Sequence, residues 1–359
     1  MRRKRLDITT KSTGAIDRIV CTRTLYVFAV VALAAFAMWR INLGEAVRMF
    51  RDVRYEWLAL AFVVYLAARA INAWEWRILL TKVGHAPLHG LLGALLIGTF
   101  VNAIAPANLG DVVRLQVVAN RYALPRAGLI AERGSEALVN AMMFVLVALL
   151  SVFVAGERGA MNGGWVLWAL VFASALAFTG AVAASKMLPR TAPQLTILWR
   201  LPHRLQGALQ QQWPRIHDGF EVLRRPGLLL VLLVVGLAGW TIDFIINWSY
   251  GSAFNLDVPF SAYLSITLTL AVITTVPVTF GNIGVWEASL VGVLALYGVP
   301  ADSALAYAVG SHIFVTVFNV GLGLAAMALM RIRPRDILGI HGSATERDDV
   351  TGGQRASGI

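Results

Sequence analysis

The sequence is short of cysteine, of charge and of the motifs of soluble enzymes. Its single cysteine, Cys21, excludes an intrachain disulfide and a cysteine-based metal cluster. Charged residues make up only 14% of the 359-residue chain, against about a quarter in average soluble domains. The chain has no P-loop, no H-E-x-x-H, no G-x-S-x-G and no C-x-x-C. These absences exclude familiar soluble-style chemistry, and we predict no catalytic residue, no metal and no cofactor.

Apolar residues are abundant instead, at 58% of the chain with a mean hydropathy of +0.68. A bilayer core needs about 20 mainly apolar residues per helix. The sequence therefore predicts an all-α, polytopic integral membrane protein with about eight transmembrane helices. The candidate spans are Thr24–Trp39, Trp57–Trp76, Gly90–Ala105, Ala137–Ala155, Gly164–Ser185, Gly227–Tyr250, Phe260–Val276 and Ala304–Met330.

The net charge of +11 does not point to nucleic acid. Lys and Arg concentrate in segments that flank the spans, where they orient helices and attract anionic lipid headgroups. The basic segment 1–23 precedes a first apolar run that ends without a small-residue cleavage site, so we expect an uncleaved first span. No nucleic-acid partner is predicted.

Polar segments divide the chain into regions. We predict a membrane domain over 24–335, with a first half (24–185), an amphipathic surface segment (186–226) and a second half (227–335). Lys186–Arg225 has seven Lys or Arg against two acids, with apolar residues at helical spacing, which is typical of helices on a membrane surface. The polar, Gly-rich tail 336–359 is expected to be disordered.

The orientation of this basic segment depends on the stretch after the third span. Eight simple spans cannot place it on the same side as the basic N-terminus, which the charge distribution favours. One additional crossing between Ala105 and Ala137 would do so. The sequence leaves open whether the short helix in that stretch crosses the membrane or turns back.

Two breaks of similar design interrupt the apolar runs, "NAIAPANLGDVVR" and "TTVPVTFGNIGVWEASLVG". Pro106-x3-Gly110-Asp111 matches Pro277-x3-Gly281-Asn282, 171 residues later. Downstream, Tyr122-x2-Pro125 matches Tyr297-x2-Pro300 at 175 residues, and Gly134-Ser135 matches Gly310-Ser311 at 176. This order predicts an internal repeat of helix, break, short helix, turn and long helix.

The breaks suggest a transport site. Proline removes a donor, glycine allows a reversal, and Asp111 or Asn282 is expected to cap the next short helix. Broken or re-entrant helices in corresponding halves are typical of a transporter site near the bilayer midplane, where helix N-termini face an anion. The alternative is that both breaks are ordinary interfacial loops.

Ionisable residues are unusually dense around the first break. We expect Asp111, Arg114, Glu132 and Arg133 to line a cavity, because the planar fork of arginine suits a phosphate. Glu136 lies one helical turn after Glu132 and shares its face. Arg121 and Arg126 are interpreted as marking a membrane interface.

Other polar residues within the spans are interpreted more simply. Glu75 and Arg77 are expected to be interfacial anchors, while the deeper Arg69 is left open. Asp243 is expected to face Asn247 one turn along its helix, and His312 to make a helix contact rather than a proton relay.

These motifs resemble the lysylphosphatidylglycerol synthase transmembrane-region family of flippase-like proteins. The resemblance covers about residues 20–330 and rests on "P-x3-G-D-x2-R", "ER-x2-E", "DGFEVLRRPGLLL", "P-x3-G-x-x-G-x-x-E" and "Y-x-x-P". It implies movement or presentation of a polar lipid across a bacterial inner membrane by a multi-pass protein. A soluble aminoacyl-transferase domain is not expected after the last span, so synthase activity is not inferred.

The family motifs fall on residues of both breaks. "PVTFGNIG" departs from the usual Pro-x-Pro-Gly-Gly-x-Gly, with Thr279 and Phe280 for the second Pro and first Gly, and with Asn282 added. The predicted substrate-binding residues are Asn102, Pro106, Gly110, Asp111, Arg114, Glu132, Arg133, Glu136, Pro277, Gly281, Asn282, Gly284 and Glu287.

We therefore predict a flippase-like transporter of a phospholipid, hopanoid or glycolipid, not an enzyme. Arg114 and Arg133 would hold the lipid phosphate, Asp111 and Glu132 would orient them or take up protons, and Glu287 would complete the cavity. Beside the lipid, a lipid-biosynthesis enzyme is an expected partner. The alternatives are a membrane-embedded enzyme or accessory subunit using Asp111, Glu132 and Glu287 in acid–base work, and a scaffold for a partner enzyme.

Overall fold

The structure is a computed structural model that describes residues 53–105, 108–161, 203–275 and 279–332, with isolated helical positions between 172 and 183. All regular elements within these ranges are helical, which confirms the prediction of an all-α protein. The predicted span Thr24–Trp39 and the tail 336–359 lie outside the described residues, as does most of Gly164–Ser185.

Nine helices are numbered here over the described ranges. They are α1 (Tyr55–Leu79), α2 (Leu88–Ile104), α3 (Leu109–Tyr122), α4 (Arg126–Met161), α5 (His203–Arg224), α6 (Pro226–Ala253), α7 (Phe260–Thr275), α8 (Val285–Leu296) and α9 (Ala301–Met330). A single 3-10 turn, Leu80–Lys82, extends α1, and another, Phe280–Asn282, precedes α8.

The predicted spans fall on these helices wherever the structure describes them. Within the described ranges, four segments are long and apolar enough to cross a membrane: Tyr55–Lys82, Arg126–Ser151, Pro226–Ala253 and Ala301–Met330. The apolar helices α2, α7 and α8 are shorter. One boundary differs, because α4 begins at Arg126 rather than near Ala137 and so includes the charged turn around Glu132. The polytopic membrane architecture is confirmed.

The chain reverses at the first break, so that α3 runs antiparallel along α2. A Cβ atom on Gly110, in the first turn of α3, would lie 1.9 Å from the carbonyl oxygen of Gly98 in α2. At the opposite end of the pair, Tyr122 contacts Gly90. The two helices form a hairpin whose backbones approach closely because both crossing residues lack side chains.

A second hairpin joins α7 and α8 at the second break. The hydroxyl of Tyr297, just after α8, lies 2.8 Å from Ser265 Oγ and donates to the Ser261 carbonyl at 3.1 Å. Since Ser261 lies in the first turn of α7, the two helices are also antiparallel. Each break is therefore the tip of a helical hairpin.

The two hairpin tips contact each other. Asn108 Nδ2, in the first tip, donates to the carbonyls of Thr274 and Thr275 at 3.2 and 3.4 Å. Gly281, in the second tip, lies so near Ala103 that an added Cβ would be 2.7 Å from its carbonyl oxygen. Each tip thus contacts carbonyl groups at the end of the first helix of the other hairpin. Those carbonyls have no hydrogen-bond partner within their own helix.

The caps of the short helices differ from the prediction. The residue before α3 is Asn108, in a left-handed conformation at φ 50°, and Asp111 lies in the first turn instead. Asn102 supplies the missing cap, because its Oδ1 accepts from Gly110 N at 2.6 Å. Asn282 belongs to the 3-10 turn, and Gly284 precedes α8. The expectation that Asp111 or Asn282 caps its helix is wrong.

The remaining long helices enclose the hairpins. α1 packs along α6, and Tyr65, Tyr250 and Tyr307 are buried in the largest apolar cluster. Part of the predicted surface segment forms α5, which packs on α4 where Ser135 Oγ donates to the Gly219 carbonyl at 2.9 Å. This frame holds the hairpin tips inside the bundle.

We expect Gly110→Ala to lower stability strongly. Its new Cβ would lie 1.9 Å from the Gly98 carbonyl oxygen and 2.5 Å from Asn102 Oδ1, so α2 and α3 must separate, at a cost of about 1–3 kcal/mol or more. The thermal unfolding midpoint in detergent measures this. Gly292→Ala is the matched control, because it is helical with no atom within 4 Å, and should be neutral or stabilising. Equal midpoints for both variants would contradict the close crossing.

Candidate functional site

Four charged side chains form a closed ring between α3 and α4. Arg114 lies 2.9 Å from Glu136 and 3.3 Å from Asp111. Arg133 lies 2.8 Å from Asp111 and 3.6 Å from Glu136. Each helix contributes one carboxylate and one arginine that are three residues apart. Both charges of each helix therefore lie on the same helix face. Each arginine contacts both carboxylates, and the charge ring is neutral overall.

Burial makes Arg114 the more constrained arginine. Its side chain is 6% exposed, whereas that of Arg133 is 32% exposed. The Arg114 guanidinium carbon lies 5.0 Å from the centre of the Trp76 ring, which adds a cation–π contact. A buried guanidinium without a carboxylate is costly, so the ring explains how this cation is tolerated.

Two further carboxyl groups lie beside the ring. The fully buried Glu132 accepts a hydrogen bond from Trp76 Nε1 at 2.9 Å through Oε2, and its Oε1 has no partner among the described residues. Glu75 is also buried, with an unpartnered Oε1 within the same ranges. Neither carboxyl makes an ion pair with a ring arginine in the part of the chain that the structure describes.

Two adjoining cavities occupy the interior of the bundle. The smaller, of about 190 Å³, is the charged cavity, lined by the ring residues Asp111, Arg114, Arg133 and Glu136 together with Glu75 and Asn140. The larger, of about 360 Å³, is the tip cavity, where the two hairpin tips meet. They share five lining residues: Arg69, Thr99, Asn102, Trp240 and Asp243.

Polar side chains from both halves line the tip cavity. They include Asn102, Asn108, Asn247, Thr267, Thr274, Asn282, His312, Thr316 and Asn319, between apolar walls. Asn247 Nδ2 donates to Thr267 Oγ1 at 3.1 Å, and Tyr65 donates to Asn319. The volume is within the range of small-molecule sites, and hydroxyl and amide groups there can replace water around a polar ligand.

At the second break, Glu287 and His312 link α8 to α9. Glu287 Oε2 accepts from Gly284 N at 2.7 Å, while its Oε1 lies 2.6 Å from His312 Nδ1. His312 Nε2 lies 2.9 Å from the Gly281 carbonyl oxygen, and its ring stacks on Trp286 with centres 4.9 Å apart. The pair therefore provides partners for two backbone groups that the break leaves outside any helix.

Hydrogen-bond chemistry fixes the protons of this link. The Gly281 carbonyl only accepts, so Nε2 must carry a proton. A second proton must lie between Nδ1 and Oε1, because two lone pairs at this distance would repel. The link is thus either imidazolium with carboxylate or imidazole with carboxylic acid, and both forms are neutral.

The structure brings most of the predicted site residues together in two groups. Asn102, Asp111, Arg114, Arg133 and Glu136 line the charged cavity, and Asn102, Gly281 and Asn282 line the tip cavity. Glu132, Gly110, Gly284 and Glu287 make supporting contacts and line neither cavity in the described structure. Pro106 and Pro277 lie outside the described residues. The substrate-binding role of all these residues remains a prediction.

Two expectations about single residues need correction. Glu75 is not an interfacial anchor, because it is buried and lines the charged cavity, whereas Arg77 is exposed. Asn247 faces Thr267 rather than Asp243. Asp243 lines both cavities instead. Arg69 and Asp243 line both cavities and are among the lining residues that the predicted site omits. Their signal was an ionisable group inside an apolar span, which is costly and so a functional candidate by default.

The fold and these cavities define a polytopic α-helical membrane protein with a polar, charged interior. The chain belongs to the lysylphosphatidylglycerol synthase transmembrane-region family, whose model matches residues 24–323. The resemblance inferred from the two motifs is therefore confirmed.

The chain is also similar to another membrane protein over most of its length. The chain is 24% identical over 318 residues to a UPF0104 membrane protein of Methanothermobacter thermautotrophicus, covering 83% of this chain and 91% of the relative. The match spans nearly the whole relative. No solved structure matches the chain.

We expect Arg114→Ala to destabilise the protein through the charge ring. Removing this guanidinium leaves the partly buried Glu136 beside Arg133 alone, and the loss should approach the cost of about 3–5 kcal/mol for a fully buried pair without reaching it. The double variant Arg114→Ala/Glu136→Ala should recover part of the loss, because both charges are then absent. Thermal midpoints measure both, with exposed Arg77→Ala as the control. A double variant no more stable than Arg114→Ala would contradict the pairing.

We expect Glu287→Gln to preserve the second break and Glu287→Ala to weaken it. The glutamine amide can donate to Nδ1 of a neutral His312 while its oxygen accepts from Gly284 N, so both bonds persist. Alanine removes them, at a cost of about 1–3 kcal/mol. Thermal midpoints of both variants, with the same changes at exposed Glu56 as controls, measure the difference. Equal losses for Gln and Ala would contradict the proton arrangement.

Proposed function

We propose that this protein is a flippase-like transporter that moves a polar or anionic membrane lipid between the leaflets of the bacterial inner membrane. The observation that carries the proposal is the pair of adjoining polar cavities inside an otherwise apolar bundle. A lipid headgroup crossing a bilayer needs a polar route, because transferring its charges into hydrocarbon is prohibitive. Family membership supports a role in handling membrane lipids.

The backbone at the two breaks supports a transporter arrangement. Leu124 N bonds to the Ala119 carbonyl after α3, and Val299 N bonds to the Leu294 carbonyl after α8, 175 residues later in both positions. Asp111 and Glu287 each occupy the third position of their short helix. We infer that the hairpins α2–α3 and α7–α8 are re-entrant elements of an internal repeat, with the tip cavity between them.

In this proposal the charge ring does not bind the lipid phosphate directly. Arg114 and Arg133 are each matched by carboxylates, so an anion would have to displace Asp111 or Glu136 to reach them. A neutral ring can instead present hydrogen-bonding groups to a headgroup without holding it tightly. Weak holding suits transport, because a tightly bound lipid would not be released to the other leaflet.

We expect the purified protein to accelerate leaflet exchange of labelled lipids in proteoliposomes. Thr316→Trp should slow exchange, because Thr316 lines the tip cavity and the indole would fill it. Val317→Trp is the matched control, since the neighbouring Val317 is 58% exposed on the outside of the bundle and its replacement should leave exchange unchanged. A fluorescence assay of lipid in the outer leaflet measures the rate.

Two results would contradict the proposal. Exchange at the wild-type rate in Thr316→Trp would show that the headgroup does not pass through the tip cavity. Chemically altered lipids without leaflet exchange, detected by mass spectrometry of the same vesicles, would indicate the enzyme alternative. Co-purification with a lipid-biosynthesis enzyme would extend the proposal to a working partner.

A further inference from the structure

Arg69 occupies an unusual position at the boundary of the two cavities. It lies well inside α1 and lines both the tip cavity and the charged cavity. Its guanidinium carbon is 4.9 Å from the centre of the Tyr65 ring, and its buried Nε has no hydrogen-bond partner among the described residues. Within those residues no carboxylate lies within 4.0 Å of it. A buried donor without an acceptor is costly unless something else supplies one.

Asp243 faces the same space from α6. It lines both cavities, is accessible from them, and makes no hydrogen bond or ion pair in the described part of the chain. Arg69 lies within electrostatic range of the Asp243 carboxylate, and the two groups form no ion pair within 4.0 Å among the described residues. A positive and a negative group therefore face one cavity boundary without satisfying each other.

The other cations that line these cavities are already matched. Arg114 and Arg133 belong to the neutral charge ring, and His312 is linked to Glu287. Among the described residues, Arg69 and Asp243 are the unpaired ionisable groups that line both cavities, whereas the unpaired Glu75 lines only the charged cavity. The charges of Arg69 and Asp243 sum to zero, and they are held on separate helices.

We propose that Arg69 and Asp243 form a binding site for the zwitterionic headgroup of a membrane phospholipid. The phosphate accepts hydrogen bonds from the Arg69 guanidinium, whose planar fork suits its oxygens. The headgroup ammonium donates to the Asp243 carboxylate. This inference rests on the proposed function, because it specifies the lipid class that enters the cavities.

Other headgroup classes fit the two charges less well. A purely anionic headgroup would satisfy Arg69 but place negative charge near Asp243, which costs affinity. A neutral sugar headgroup would bring hydroxyl groups to both but leave the Arg69 charge without a counter-ion. A headgroup with phosphate and ammonium satisfies both groups and adds no net charge to the cavities.

The test is lipid retention by the purified full-length protein. It is equilibrated in detergent with equimolar phosphatidylethanolamine and phosphatidylglycerol of identical acyl chains, and the retained lipids are quantified by mass spectrometry. We expect the wild type to retain more phosphatidylethanolamine. Asp243→Asn should shift the ratio about tenfold or more toward phosphatidylglycerol, because it removes the negative charge that opposes an anion. Arg69→Gln should reduce retention of both.

Matched controls make the same charge changes away from the cavities. Arg77→Gln and Asp302→Asn, at exposed positions, should leave the ratio unchanged. If Arg69→Gln does not fold, Arg69→Lys keeps the charge without the planar fork and should preserve the preference with weaker retention. A ratio that Asp243→Asn leaves unchanged, or a wild type that prefers phosphatidylglycerol, would overturn the proposal and leave the pair a structural element only.

Retention and transport can fail separately. Selective retention of phosphatidylethanolamine without leaflet exchange would support the site and contradict the transporter. Leaflet exchange by the wild type, with an unchanged ratio of retained lipids in Asp243→Asn, would support the transporter and contradict the site. Excess soluble glycerophosphoethanolamine should leave the retained lipid in place, and its displacement of the lipid would overturn the assignment to a membrane lipid in favour of a soluble headgroup.

Discussion

Broken helices inside an apolar bundle must find partners for their backbone groups, and this constraint organises the structure. Asn102 caps the start of α3, and Asn108 covers the last carbonyls of α7. Glu287 caps the start of α8, while His312 reaches the Gly281 carbonyl. Because unpaired backbone groups are costly away from water, these side chains stabilise each break. The polar residues gathered for this purpose also create the tip cavity.

Ionisable side chains near the breaks are likewise paired with neighbours of opposite charge. Around the first break, two arginines and two carboxylates alternate in a ring, and around the second, one histidine and one glutamate share a proton. Both groups are neutral and link a short helix to the long helix that follows it. The bundle can therefore hold many ionisable groups, although each alone would be costly in a membrane.

The sequence predicted the helices and the breaks better than the contacts between them. Apolar runs located the spans, and the Pro/Gly pattern located both breaks, because these signals are local. The spacing of Asp111 with Arg114 also showed that they share a helix face. The pairing of Asn108 with carboxyl-terminal carbonyls of α7 joins residues 166 positions apart, and no local pattern encodes it. Glu75 was misplaced for a similar reason, since its burial depends on which helix covers it.

The roles of the cavity residues differ according to the helix on which each residue lies. Asn102, Asn108 and Gly281 belong to the breaks, so their substitution alters backbone support and cavity chemistry together. Arg69 and Asp243 belong to the unbroken helices α1 and α6, and neither supplies a partner to the breaks among the described residues. Their charges can therefore be changed while the hairpin tips keep their partners. Under the proposed headgroup site, substitutions at these two positions therefore test ligand recognition separately from backbone support, which substitutions at the breaks cannot do.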